Sequence, residues 1–423
     1  MARGLVLEGA DRADSPYAWW RLALSMTFAT IGGVGLWSVV IALPTVEAAF
    51  GVDRGGASLP YMATMAGFAV GGVLMGRIAD RHGIQRPLMI AGIMLGIGYF
   101  AASQAQSIWQ FIAAQALIIG MLGSSATFGP LVADITFWFR RRRGLAVAIV
   151  ASGNYLAGTV WPPVLSWAMA EFGWREAHMM VGAVCLVTML PLSLLMRRRA
   201  PLDADDLQAN AAKGGAGPVA RPEQAGLSPR ALQILLVAAG LSCCIAMSMP
   251  QVHIVAYCAD LGYGAARGAE MLSLMLGFGV VSRLISGLIA DRIGGLGTLL
   301  LGSTLQCLAL MFYLPFDGLA SLYLVSALFG LSQGGIVPSY ALIVRDYFRP
   351  SEAGTRVSLV LMATVVGMAI GGWMSGEIHD LTGSYQVAFL NGILFNLVNM
   401  SLALWLLLNR RRSGPVTAES PAG

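Results

Sequence analysis

Arg283 lies inside an apolar run, Met275 to Ala290, that contains no acidic residue. A guanidinium at the centre of a bilayer costs at least about 2.5 kcal/mol on insertion scales. Its residence there must be offset by water, a counter-ion or a function. Asp80, Asp134, Asp291 and Asp346 all fall near the ends of their apolar runs, so none offers a partner at the same depth. An unpaired buried cation facing a cavity is a site for an anion, and a guanidinium grips a carboxylate through two parallel hydrogen bonds. The competing reading is a structural arginine bonded to helix carbonyls.

Other polar residues stand at helical spacing in apolar surroundings. His253 and Tyr257 are four apart and share a helix face just past Pro250. His253 can accept a proton that travels with an anion, or sit hydrogen-bonded near the rim. Tyr257 can donate to a carboxylate, or belong to an interfacial aromatic belt. Asn154 shares a face with Gly158 and Trp161, and reads either as a substrate contact or as glue between helices. Gln333 and Tyr340, seven apart, share another face and are candidates to line the same cavity. Ser124, Ser125, Thr127 and Thr364 read as packing residues, and Trp37 and Tyr61 as interfacial anchors. None of this is catalytic machinery. The five cysteines lie in apolar runs without a CxxC or Cys/His cluster, and no GxxxxGK[ST] loop is present. No metal, cofactor, nucleic acid or enzyme activity is expected.

The elements that must position these residues are set by composition. Of 423 residues, 57% are hydrophobic and 12% charged, and the mean hydropathy is +0.70. So few charges cannot coat soluble domains of this size. Twelve runs are long and apolar enough to span a membrane. They fall at about 18–46, 57–79, 86–104, 107–137, 143–171 and 175–197, then 230–259, 267–291, 296–315, 319–347, 353–381 and 385–409. The expectation is an all-α membrane protein with twelve transmembrane helices in two six-helix halves, 18–197 and 230–409. A polar linker, 198–229, joins the halves, and short tails, 1–17 and 410–423, flank them. Arginines concentrate on alternate loops, at Arg81, Arg86, Arg140 to Arg143, Arg197 to Arg199, Arg292, Arg345 and Arg410 to Arg412. That bias places both termini and the linker in the cytoplasm.

The halves echo each other. Gly76-Arg-Ile-Ala-Asp80-Arg81-His-Gly83 follows the second run, and Gly287-Leu-Ile-Ala-Asp291-Arg292-Ile-Gly294 follows the eighth. Proline recurs late in the first run of each half, at Pro44 and Pro250. A parallel duplication of six-helix units marks a transporter that binds its substrate between the halves. Glycine ladders, Gly67, Gly71, Gly72 and Gly76 in one half and Gly367, Gly371, Gly372 and Gly376 in the other, let helix backbones approach closely and read as sliding or closing contacts between the halves.

At these residues the chain resembles the major facilitator superfamily, whose signature loop between helices two and three is matched by Gly76, Asp80, Arg81 and Gly83. A narrower resemblance, to the monocarboxylate transporters and the related oxalate/formate antiporters, in a bacterial form, rests on two segments. Phe137-Trp-Phe-Arg-Arg-Arg-Arg-Gly-Leu-Ala146, running to Ser152-Gly153, is similar to that family's entry to helix five. Arg283-Leu-Ile-Ser-Gly287-Leu-Ile-Ala290 is similar to the helix-eight segment that carries its substrate-binding arginine. The family's lysines in helices one and eleven are missing here, and Gly279 stands where the eukaryotic branch has an aspartate one turn before the arginine. No proton-coupling carboxylate is evident.

The resemblance implies a secondary transporter in the inner (plasma) membrane, acting as a monomer. It would move a small monocarboxylate by alternating access, by proton symport or anion exchange. Arg283, Asn154, His253, Tyr257, Gln333 and Tyr340 are the expected substrate-binding residues. Asp80 and Arg81, facing the start of helix eleven near Ser351 to Thr355, and Asp291 and Arg292, near Gly144, are the expected gate. A carboxylate at a helix N-terminus meets unbonded N–H groups and a partial positive charge. Beside this reading stand an exporter of drugs or other uncharged solutes and a transporter-like membrane sensor.

Overall fold

The computed structural model describes residues 14–139, 142–198, 227–348 and 350–412, without the side chains of 143, 350–355 and 410–412. The expected linker and both tails therefore fall largely outside the described residues. Within them the chain is helical throughout. Eleven helices are long and apolar enough to cross a membrane. One of these, Ala265–Phe312, is 48 residues long. At 1.5 Å per residue it would reach about 72 Å, far beyond a hydrocarbon core of about 30 Å. Gly294 divides it, with φ 76° and ψ 171° inside the helical run. A positive φ is open to glycine at little cost, so the chain reverses there and the segment makes two passes.

The result is twelve passes: α1 (Pro16–Phe50), α2 (Arg54–His82), α3 (Gln85–Ser103), α4 (Ile108–Ile135), α5 (Arg143–Phe172), α6 (Trp174–Leu195), α7 (Pro229–Asp260), α8 (265–293), α9 (295–312), α10 (Leu319–Tyr347), α11 (Pro350–Thr382) and α12 (Tyr385–Arg412). With an even number of passes, the first and last helices meet one face of the bundle, called here the termini face. The other is the far face. Each half opens with the same device. Ser15 and Ser228 cap the first helix of their half by accepting the backbone N–H of Ala18 and Ala231, and Pro16 and Pro229 follow at the first helical position. Proline has no N–H to lose there and its φ is already helical.

Three passes are not regular. α1 turns at Gly33, between Gly32 and Val34. α4 widens to π-helix over Ala114–Gly123 and tightens to 3-10 helix over Ser124–Thr127. α10 opens at Gly334 and Gly335, between Gln333 and Ile336. Non-helical backbone at membrane depth is tolerated where it is buried in protein or lines a cavity, and discontinuous helices are where transporters build binding sites.

The glycine ladders, expected to meet across the halves, do so only at Gly372 and Gly376, and Gly72 and Gly76 have nothing within 4 Å of where a Cβ would stand. Gly67 and Gly71 press on α4 within their own half, and Gly367 and Gly371 press on α7 within theirs. Gly372 and Gly376 instead meet Tyr61, Ser58 and Arg54 of α2, across the seam between the halves.

Candidate functional site

Arg283 lies eleven residues before Gly294, about 16 Å along the helix axis and near half the hydrocarbon thickness. Its guanidinium reaches both halves. Nη1 donates to the Ala151 carbonyl of α5 at 2.6 Å, and Nε donates to the Gly334 carbonyl of α10 at 3.4 Å. The guanidinium carbon lies 4.2 Å from the centre of the Tyr155 ring. No carboxylate pairs with it among the described residues, and the Tyr155 side chain also hydrogen-bonds it. Its neighbours are neutral acceptors and an aromatic face, which hold a cation without cancelling its charge.

The seat depends on the break in α10. Gly334 keeps helical dihedrals, but Pro338 four residues on has no N–H to offer its carbonyl, which is left to face α8. A Cβ at Gly334 would lie 2.4 Å from the Gly279 carbonyl oxygen and 2.5 Å from the Arg283 nitrogen, so the residue there must be glycine. Ser282 ties the same crossing together, donating to Leu331 O at 2.6 Å and accepting from Gly334 N at 3.2 Å.

Gln333 directly precedes the break. Its Oε1 accepts a short hydrogen bond from Gln251 of α7, and its Nε2 is buried without a partner among the described residues. Gly279 opens onto both Gln333 and Tyr155, each 3.5 Å from where its Cβ would stand. Asn154 lies on α5 between the two residues that Arg283 touches. Its Oδ1 is also buried and unbonded among the described residues, and points to the α1 break at Gly33. Arg283 and Gln333 are thus gathered around Tyr155, while the Asn154 side chain turns to α1, and Gln333 and Asn154 each keep a polar atom unbonded among the described residues. Unsatisfied buried polar groups are rare and call for a reason. Trp37, expected as an interfacial anchor, is buried here instead. Its indole nitrogen donates to Asn154 O at 3.1 Å, and the ring packs on Gly158.

The other three expected site residues lie elsewhere. Tyr340 is buried inside the second half and donates to Asn399 Oδ1 at 2.8 Å. His253 is buried and fully engaged: Nε2 donates to Gly372 O at 2.7 Å, and Nδ1 is 3.0 Å from the Tyr385 hydroxyl. Tyr257 packs edge-on against Tyr385 and Phe389. His253 and Tyr257 belong to a closure of the far face centred on Arg54, a residue to which sequence reasoning gave no role. Arg54 pairs with Glu47 at 2.6 Å and Asp260 at 3.0 Å, and donates to the Tyr385 hydroxyl at 2.7 Å. The backbone N–H groups of Arg54 and Gly55 donate to the Asp380 carboxylate at 3.0 and 2.5 Å. One carboxylate of the second half therefore caps the α2 N-terminus of the first. The only sequence signal was an arginine isolated on an otherwise arginine-poor set of loops.

The termini face differs. Asp80, Arg81, Asp291 and Arg292 are exposed, and none forms an ion pair among the described residues. The side chains of Ser351 to Thr355, expected to face Asp80, lie outside the described residues. Gly144 has nothing within 4 Å of where a Cβ would stand, so Asp291 is not docked on it.

The architecture and the sequence comparisons agree. The profile of the Major Facilitator Superfamily matches residues 23–339 and 296–422. The chain belongs to the major facilitator superfamily, a family of membrane transporters and not of enzymes. Among relatives it is 26% identical over 402 residues to monocarboxylate transporter 13 of Bos taurus, covering 90% of this chain and 88% of that one. It is 22% identical to the agnestins efflux protein of Paecilomyces divaricatus, covering 90% and 84%. Among solved structures, the fold is similar to a peptide transporter POT in complex with sulfate, with TM-score 0.73 at 14% identity over 96% of this chain and 98% of that one. It is also similar to a bacterial homolog of the human lysosomal transporter Spinster in an inward-facing and occupied conformation, with TM-score 0.70 at 14% identity over 97% and 100%.

Proposed function

We propose that the protein carries a small organic monocarboxylate across the plasma membrane by alternating access, with Arg283 as the group that takes the carboxylate. The observation that carries this reading is a guanidinium at the seam between the halves, held by neutral groups, with no acid beside it among the described residues. A carboxylate on that face makes two charge-assisted bonds and neutralises the site. The halves then close around the substrate without burying an unpaired charge. Gln333 Nε2 and Asn154 Oδ1 are a donor and an acceptor for the rest of a small polar molecule. The relatives named monocarboxylate transporters support the same reading.

The arginine bias between loops supports a cytoplasmic termini face, which makes the described state closed outward and open inward. In that cycle the Arg54 cluster is the outer latch. Asp80 with Arg81 and Asp291 with Arg292 are the inner gate, engaged when the latch parts. Coupling is to a proton or to a counter-anion, and the transporter works as a monomer. His253 contributes to the latch and makes no substrate contact in this state.

The test is uptake of radiolabelled monocarboxylates into proteoliposomes, with and without an imposed pH gradient or internal anion. Arg283→Ala should lose uptake while the protein remains folded. Wild-type uptake by that variant removes the assignment. A second reading, export of uncharged solutes, is favoured by the carbonyl bonds that already hold Arg283 and by the efflux relative. Competition by neutral compounds together with indifference to Arg283→Ala would establish it.

A further inference from the structure

A cavity of about 480 Å³ opens on the termini face of the first half, away from Arg283. Its walls come from the start of α1, the turn between α2 and α3, and the ends of α4 and α6. The charged groups facing it are Arg21, Arg81, Arg86, Arg197 and Arg198, with His82, against Asp80 and Asp134. Setting Arg198 aside, four arginines less two aspartates leave a formal charge of +2 with His82 neutral. That excess is not dispersed by internal pairing. Arg21 is buried and spent on Asp134, with Nε and Nη2 at 2.8 and 2.9 Å from the two carboxylate oxygens and Nη1 at 2.9 Å from Arg198 O. It therefore cancels one aspartate and fixes the wall. Arg81, Arg86 and Arg197 are exposed and make no ion pair among the described residues, although Asp80 lines the same space. Gly76 and Gly83 keep the wall open, with nothing within 4 Å of where a Cβ would stand on either.

We propose that this cavity binds the phosphate of an anionic phospholipid headgroup. Convergent unpaired guanidiniums select an oxyanion of high charge density, and arginine matches phosphate through paired N–H groups. The depth points to lipid as the source. Trp19 and Trp20 of α1 are exposed in the turn that carries Arg21, and the Arg198 guanidinium lies 4.6 Å over the Tyr17 ring. Exposed tryptophan and tyrosine at a helix end mark the headgroup level of the bilayer, and basic pockets between helices at that level take lipid headgroups. A headgroup seated here joins the α2–α3 turn, which carries Asp80, to the ends of α4 and α6.

The experiment measures thermal unfolding of the full chain in nanodiscs of phosphatidylcholine alone or with phosphatidylglycerol. Ligand that binds the folded state alone raises its melting temperature, so phosphatidylglycerol should raise it by about 2–4 °C, the shift that roughly 1 kcal/mol gives for a large domain. Arg86→Gln/Arg197→Gln should lose most of that rise yet melt like the wild type in phosphatidylcholine. Arg230→Gln/Arg345→Gln, which removes the same charge from exposed positions outside the cavity, should keep it. If the double cavity variant is unstable, Arg197→Gln alone is compared. Equal loss in both variants, or no rise in the wild type, overturns the site. If inorganic phosphate alone in phosphatidylcholine gives the rise, and the cavity variant loses it, the ligand is a free anion and the lipid assignment is overturned.

Discussion

Arg283 is bonded to two carbonyls, one in each half, and stacked on Tyr155. Both chemical readings of this residue are therefore physically present, and substitution separates them. Lysine keeps the charge but has no planar fork to hold Ala151 O, Gly334 O and a carboxylate together. Arg283→Lys is expected to raise KM about 100-fold, since truncating one partner of a buried charge pair costs about 2–5 kcal/mol and each 1.4 kcal/mol is tenfold. Saturation kinetics of uptake check this, and a KM near wild type would reduce Arg283 to a point charge. Gln333→Leu removes an unpaired donor but strands Gln251. It should weaken binding of monocarboxylates that bear a second polar group more than that of plain alkanoates, as competition assays would show. His253→Ala is expected to leave KM unchanged. It removes bonds to Gly372 and Tyr385, so it should cost about 1–3 kcal/mol of far-face closure. Sequence placed Arg283 at mid-membrane depth, because charge inside an apolar run is visible without a fold. It could not say that His253 was already spent, because the Gly372 carbonyl and the Tyr385 hydroxyl are 119 and 132 residues away.

The backbone around the site is shaped by where helices break. Gly334-Gly335 reads in sequence as part of one continuous apolar run, and only the crossing of α10 on α8 shows why the helix must open there. Gly334→Val would drive a side chain into backbone at 2.4–2.5 Å. Overpacking of this kind costs about 1–3 kcal/mol, and the shift of the Gly334 carbonyl should abolish uptake even where the protein still assembles. Size-exclusion profiles with uptake rates test this, and full activity in Gly334→Val would mean the break is incidental. The expected spans 267–291 and 296–315 were separated in sequence by the charges and glycines of Asp291 to Gly295. The chain instead stays helical to within a residue of Gly294 and reverses on its positive φ. Trp37 shows the opposite error. An aromatic in an apolar run fits an interface by composition, but the seam buried it.

The two faces of the whole molecule are unequal. The far face is closed by Arg54, Glu47, Asp260, Asp380 and Tyr385, whereas Asp80 and Asp291 at the other form no ion pair among the described residues. Arg54→Gln removes the charge that Glu47 and Asp260 share. The expected outcome is a shift of about 5–150-fold toward the far-face-open state, the range that 1–3 kcal/mol of coupling gives. Spin labels at Glu171→Cys and Asp317→Cys, with the five native cysteines replaced, measure it as a longer distance across that face. An unchanged distance distribution would show that packing of Tyr61 on Gly372, and not charge, holds the latch. Asp80→Asn should favour the described state further, because it removes one of the two gate carboxylates proposed to hold the opposite one.

Local chemistry sufficed for the sequence to determine twelve apolar passes, their duplication, the placement of charge on alternate loops and the arginine at mid-depth. Each of these follows from the transfer energy of a side chain or from a repeat within one segment. Which polar groups are free was decided only in three dimensions. Among the described residues Gln333 keeps an unpaired atom near Arg283 and Asn154 one toward α1, His253 and Tyr340 are bonded, and Arg54 joins two halves that sequence leaves apart. Hydrogen bonding and ion pairing act over about 3 Å, and no spacing along a chain reveals which groups from distant helices come that close.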